Sequence, residues 1–207
     1  GRTPVPPTVT FSDRMALDMG DTAFALSFIG GMHSASDTAV LVPEHGLLLT
    51  GDTMADVWLT DTPGCLASFG ARPGVRHDVP RMLANWELLL ARKDQIRLLL
   101  PGHWNGELSL AGAAARVDYV RTLWEGIGRA AATGATLSDV LAEYRLDQRF
   151  PDLAQSPGFT AFGHHTTVTE IWSLATGQRS AAAELYALLD AGADESAIRE
   201  VLAERAA

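Results

Sequence analysis

The chain has 207 residues, 47% of them hydrophobic and 20% charged, with 25 acidic residues against 16 Lys and Arg and a net charge of −9. That length and apolar content support a sizeable core, as one large domain or one domain with an appendage, and the acidic balance argues against nucleic acid or an anionic membrane surface as partner. No apolar run approaches the roughly 20 residues of a membrane span, no basic-then-apolar leader is read at the start, and the lone Cys65 has no internal disulfide partner, so a cytoplasmic protein is expected.

In chain order, residues 1–7 are Pro-rich and read as extended. Val9-Thr10-Phe11 is a first candidate strand. Met15, Leu17 and Met19 alternate with Ala16 and Asp18, and Phe24, Leu26 and Phe28 alternate with Ala23, Ala25 and Ser27. Period two with one bulky face predicts half-buried strands, and Gly20-Asp21 between them predicts a hairpin turn. Apolar runs at 38–42 and 47–50 flank Pro43-Glu44-His45-Gly46, a turn sequence that predicts a second hairpin. Residues 53–77 carry Gly and Pro without periodic apolar positions and read as a long loop, a length often tied to function.

Asp78 reads as an N-cap with Pro80 in the first turn, ahead of Val79, Met82, Leu83, Trp86, Leu89 and Leu90 at helical spacing. Ile96–Leu100 is a short apolar strand stopped by Pro101-Gly102. From Ser109 the chain reads as helical. Leu110, Ala113, Ala114, Val117, Val120, Leu123 and Ile127 share one face, and Thr136 caps a shorter helix. Residues 146–163 read as a connection, followed by helices near 164–176, 180–191 and 194–205 with Gly177 and Gly192 at their ends.

Three polar residues share one local context. His33 follows the 22–29 strand after Gly30-Gly31, Asp52 follows the 47–50 strand after Gly51, and His103 follows the 96–100 strand after Gly102. Each time an apolar strand ends, a glycine lets the backbone turn, and a metal-ligand type appears. Open α/β sheets gather their sites at the carboxyl ends of strands, and two imidazoles with a carboxylate suit Zn²⁺, Fe²⁺ or Mn²⁺. Taken singly, each is also an ordinary turn residue; the threefold recurrence is the signal. Asp37 either orients His33 as a hydrogen-bond acceptor or ends a turn. His45 and His77 read as solvated, and His164 and His165, which open a helix, as capping or packing residues, with a cleft-facing role for one of them as the alternative. Trp86, Trp124 and Trp172 read as core, while Trp58 and Trp104 are candidates to line a pocket. No G-x-S-x-G, P-loop, GxGxxG after a strand or CxxC pair is present.

The segments "GGMHSASD", "LLLTGD" and "LLLPGH", in this order and with the intervening "VPEHGLLLTGD" hairpin, resemble the second half of the metallo-β-lactamase-fold hydrolase superfamily across residues 8–105. The resemblance implies an α/β fold: half of an αββα sandwich, with a mixed β-sheet and helices, over 1–107, followed by a helical extension over 108–207. It implies that His33 and His103 each bind one of two metal ions, zinc foremost, with iron or manganese as alternatives. Asp52 would bridge the ions and serve as the catalytic residue. Superfamily members are mostly zinc hydrolases of esters, thioesters, lactones, β-lactams, and sulfate or phosphate esters. The superfamily's first-half motif, H-x-H-x-D-H, does not occur in this sequence, and the chain opens at Gly1-Arg2-Thr3-Pro4 without a methionine. We therefore expect a C-terminal half, inactive until an N-terminal half or a second copy completes the site and covers the sheet, with a small-molecule substrate and possible homo-oligomers. The alternative is a metal-poor remnant serving as a binding or oligomerisation module.

Overall fold

A computed structural model describes residues 5–30, 36–51, 53, 78–102, 109–155, 159–179, 184, 187–188 and 191–206. Five strands form one mixed sheet in the order β1-β2-β3-β4-β5: Arg14–Asp18, Ala23–Phe28, Thr38–Val42, Leu47–Gly51 and Leu98–Pro101. The first four are antiparallel neighbours, and β5 joins β4 in parallel. β2, β4 and β5 therefore run in one direction and end on the same edge of the sheet.

The turns follow the residues that build them. Gly20 adopts φ 95°, and the Met19 amide donates to the Thr22 carbonyl at 3.0 Å, closing the β1–β2 hairpin. Pro43–His45 makes one 3₁₀ turn, and Gly46 leaves it in the left-handed region at φ 63°. Arg97 ties that tip to the foot of β5: its Nη2 donates to the His45 carbonyl at 2.7 Å and its amide to the Gly46 carbonyl at 2.7 Å. A side chain at Gly46 would meet Arg97 Nε at 2.8 Å, so glycine is required there for space as well as for backbone angle.

Seven helices are described: α1 (Val79–Leu90), α2 (Leu110–Ala132), α3 (Leu137–Glu143), α4 (Leu146–Arg149), α5 (Pro151–Ala154), α6 (Ala161–Thr176) and α7 (Glu195–Ala206). Asp78, Ser109 and Thr136 cap α1, α2 and α3 with side-chain oxygens that accept from Arg81, Gly112 and Asp139 amides. The Asp139 carboxylate in turn accepts from the Thr136 amide, completing a capping box. α2 packs against both α1 and α6.

The pleat sorts the sheet into two unlike faces. Ala25, Leu41, Leu48 and Leu99 stand in one row across four strands. The three leucines are fully buried beneath Trp86, Val117, Val120 and Leu123, in a core that continues through Val168, Ile171 and Trp172 of α6. The next row, Met15, Leu26, Val40, Leu49 and Leu100, lies on the opposite face of all five strands and is only partly buried, with Leu49 39% exposed.

Two expectations are corrected. Val9-Thr10-Phe11 is not a strand: Val9 is 66% exposed, and Arg14–Asp18 instead takes the pairing position beside β2. An apolar triplet after two prolines is no strand without a ladder to join. The 146–163 connection contains the one-turn helices α4 and α5, too short for helical periodicity to reveal. The loop expected after Thr53 and most of the helix expected at 180–191 lie outside the described residues.

Candidate functional site

His33, Asp52 and His103, with Trp58, Cys65, His77 and Trp104, lie outside the described residues, whereas the strand ends that lead to the three candidate ligands are described. At β2 the Ile29 amide donates to the Asp37 carbonyl at 2.9 Å, closing the base of the connection that carries His33. Asn85 of α1 secures the same point, its Nδ2 donating to the Ile29 carbonyl at 3.0 Å. At β4 the backbone turns at Gly51 with φ 53°, a conformation any side chain would strain. The Gly51 carbonyl accepts from the Gly102 amide at 2.9 Å. The residues immediately before Asp52 and His103 are thus hydrogen-bonded to one another.

Register places β2 at the same level. Phe28 pairs with Thr38 and Val40 with Leu49, so Thr38 falls level with Gly51, itself beside Pro101. The chain therefore leaves the sheet toward His33, Asp52 and His103 from one edge and nearly one row. Thr53 adds a detail invisible to motif reading. Its side chain is buried, and Oγ1 donates to the Thr50 carbonyl at 2.6 Å, tying the chain back onto the end of β4. The signal in the sequence is only the second threonine of "TGDT", one of many hydroxyls.

Away from this edge, the remaining histidines separate into distinct roles. His45 is exposed at the hairpin tip. His164 is buried, its Nε2 against the Tyr144 carbonyl and its Nδ1 2.8 Å from the Tyr119 hydroxyl. A carbonyl only accepts, so Nε2 carries the proton and Nδ1 accepts from Tyr119. The Phe150 and Phe159 rings contact Tyr119 edge-on, at centroid distances of 4.8 and 5.6 Å. Burial holds the His164 pKa below its ordinary value, against the opposing pull of the Tyr144 carbonyl, and pushes the Tyr119 hydroxyl pKa up. This is a packing histidine, as its place near a helix start suggested. Its partner Tyr119 was missed because 45 residues separate them. Among the described residues, no three His, Cys, Asp or Glu side chains cluster to hold a metal, and no helix is long and apolar enough to cross a membrane.

No protein-family model matches the sequence, and no curated protein matches it significantly. Solved structures do match. The stereoselective inverting sec-alkylsulfatase Pisa1 from Pseudomonas sp. superposes with a TM-score of 0.53 at 16% identity, covering 92% of this chain and 34% of that one. A metallo-β-lactamase from Pontibacter korlensis matches at TM-score 0.43 and 17% identity, over 56% of this chain and 49% of that one. A metallo-β-lactamase family protein from Thermus thermophilus matches at TM-score 0.47 and 17% identity, over 84% of this chain and 51% of that one. The class is an α/β chain with a five-stranded mixed sheet and a helical tail. Its fold is the metallo-β-lactamase fold, represented in part. The chain spans about a third to a half of the length of these structures.

Proposed function

We propose that this chain is part of a metal-dependent hydrolase in which His33, Asp52 and His103 hold divalent ions, zinc foremost. One observation carries the reading: the Gly102–Gly51 hydrogen bond joins the strand ends one residue before His103 and Asp52, on the edge from which the His33 segment also departs. The donor set fits the group, since imidazole and carboxylate together suit Zn²⁺, Fe²⁺ and Mn²⁺. Asp52, with two carboxylate oxygens, is the residue able to serve two ions, and His33 and His103 each supply one nitrogen. A bound metal supplies Lewis acidity and lowers the pKa of its water to about 7, chemistry suited to an ester, thioester, lactone or related bond in a small molecule. These four donor atoms from three residues cannot fill the coordination of two ions. Further ligands must come from elsewhere, and an N-terminal half or a second copy of the chain is the proposed source.

A second reading, a metal-poor binding or oligomerisation module, draws support from the outer row of apolar side chains that ends at Leu49 and Leu100. Metal analysis separates the two. Zn²⁺ bound by the purified protein and lost in His33→Ala, Asp52→Ala and His103→Ala supports the metal site. Each loss should exceed the roughly 10–100-fold cost of removing an outer-shell partner. Negligible metal in the wild type, with all three variants indistinguishable from it, leaves the binding module. Hydrolytic activity by the 207-residue chain alone would contradict the expectation that another half is required.

A further inference from the structure

β1 forms one lateral border of the sheet: the strand order ends there, and β1 pairs with β2 on its other side. Its residues, Arg14-Met15-Ala16-Leu17-Asp18, are exposed apart from half-buried Met15, and Leu17 is 41% exposed. Border strands are commonly blunted by proline, a bulge or a covering segment. β1 contains no proline and keeps an unbroken register against β2.

Two bonds fix which backbone groups face outward. The Phe28 amide donates to the Asp13 carbonyl at 2.7 Å, and the Met19 amide to the Thr22 carbonyl at 3.0 Å, so Asp13 and Met19 aim their backbone groups toward β2. That direction alternates residue by residue in an antiparallel ladder. Arg14, Ala16 and Asp18 therefore turn N–H and C=O to the free side. Their side chains share one face of the sheet, and Met15 and Leu17 share the other.

The strand is complementary to itself. Set antiparallel to a second copy about a two-fold axis at Ala16, Arg14 opposes Asp18 of that copy, Met15 opposes Leu17, and Ala16 opposes Ala16. The outward backbone groups then meet and exchange N–H···O bonds. Opposite charges face each other at both ends, with apolar pairs between them. A shift of two residues sets Arg14 against Ala16 or Gly20, and parallel pairing sets Arg14 beside Arg14, so only the register centred on Ala16 matches the charges. Asp18 Oδ1 accepts from the Gly20 amide at 2.8 Å, which leaves the other carboxylate oxygen for a guanidinium. Among the described residues Arg14 forms no ion pair.

We propose that β1 is a homodimer interface, in which two copies pair antiparallel about Ala16 and join their sheets into one. The interface uses the lateral border rather than the strand ends that lead to His33, Asp52 and His103, and it does not depend on the metal reading. Sedimentation velocity of the 207-residue chain over a dilution series tests it. The wild type should show a monomer–dimer equilibrium. Arg14→Asp and Asp18→Arg each set like charges opposite one another, and each should weaken self-association at least tenfold. An equimolar mixture of the two variants should form a heterodimer, because the acidic strand of one then faces the basic strand of the other. That recovery needs two folded chains, so it separates lost charge pairing from lost fold. A wild type that sediments as a monomer throughout overturns the proposal. So do single variants that associate as tightly as the wild type, or a mixture that stays monomeric.

Discussion

His164 shows how one buried side chain makes stability depend on pH. Its imidazole is neutral in the fold, donating from Nε2 and accepting at Nδ1, because burial disfavours the cation. In the unfolded chain it titrates near its ordinary value of 6.5. Below that pH the unfolded state binds a proton that the folded state resists, so stability rises with pH. The contribution is complete above 6.5 and is lost as pH falls from there toward the depressed folded value. His165 is shifted the same way by burial, with Arg199 adding to it, and acts with the same sign. Urea midpoints measured between about pH 7.5 and 5 should therefore fall with acid, and His164→Gln should flatten part of that slope. Tyr119→Phe should cost about 1–3 kcal/mol at neutral pH, because it leaves Nδ1 buried without its donor. A stability profile in His164→Gln as steep as that of the wild type would contradict this account.

At the scale of elements, α2 contains a paired test of what glycine does in a helix. Gly126 and Gly128 both lie in its interior, where glycine costs about 0.5–1 kcal/mol relative to alanine. A methyl group at Gly128 meets nothing within 4 Å, so Gly128→Ala should stabilise the protein by about that amount. A methyl group at Gly126 falls on the Tyr144 hydroxyl, the side chain of the residue whose carbonyl holds His164. Gly126→Ala should therefore lose about 1–3 kcal/mol through overpacking, despite the better helix former. Thermal melts of the two variants should move in opposite directions. The contrast also marks what was legible in the sequence. The caps at Asp78 and Thr136 and the turn at Pro43–Gly46 were readable because their chemistry spans three or four residues. So was the recurrence of glycine and a ligand type after strands. The Gly126–Tyr144 contact, the Tyr119–His164 bond and the Thr53 bond back to Thr50 were not, because tertiary packing selects them from many equivalent side chains. The Val9 strand failed for the complementary reason, since a local pattern needs a partner with a free edge.

At the scale of the whole molecule, the sheet organises both the candidate site and the unequal distribution of apolar surface. Parallel alignment of β2, β4 and β5 brings the strand ends that precede three separate sequence motifs to one edge, a result of topology that no local pattern contains. The same sheet presents leucines on both faces, yet among the described residues only one face is sealed by helices. Leu48 and Leu49 are adjacent in β4 and point to opposite sides: Leu48 is 1% exposed under the α1 and α2 layer, Leu49 39% exposed on the outer row. A cavity beneath close-packed helices cannot collapse fully, so Leu48→Ala should cost about 2–5 kcal/mol. Leu49→Ala removes atoms that already contact water and leaves no enclosed void, so in the isolated chain it should cost under about 1 kcal/mol. If a second protein layer covers the outer row, the Leu49→Ala cost rises toward that of a core leucine, because the same side chain is then buried in the assembly. Urea denaturation of both variants, as isolated chains and in any assembly that contains them, measures this directly. Equal losses for the two variants in the isolated chain would mean that the outer face is already sealed.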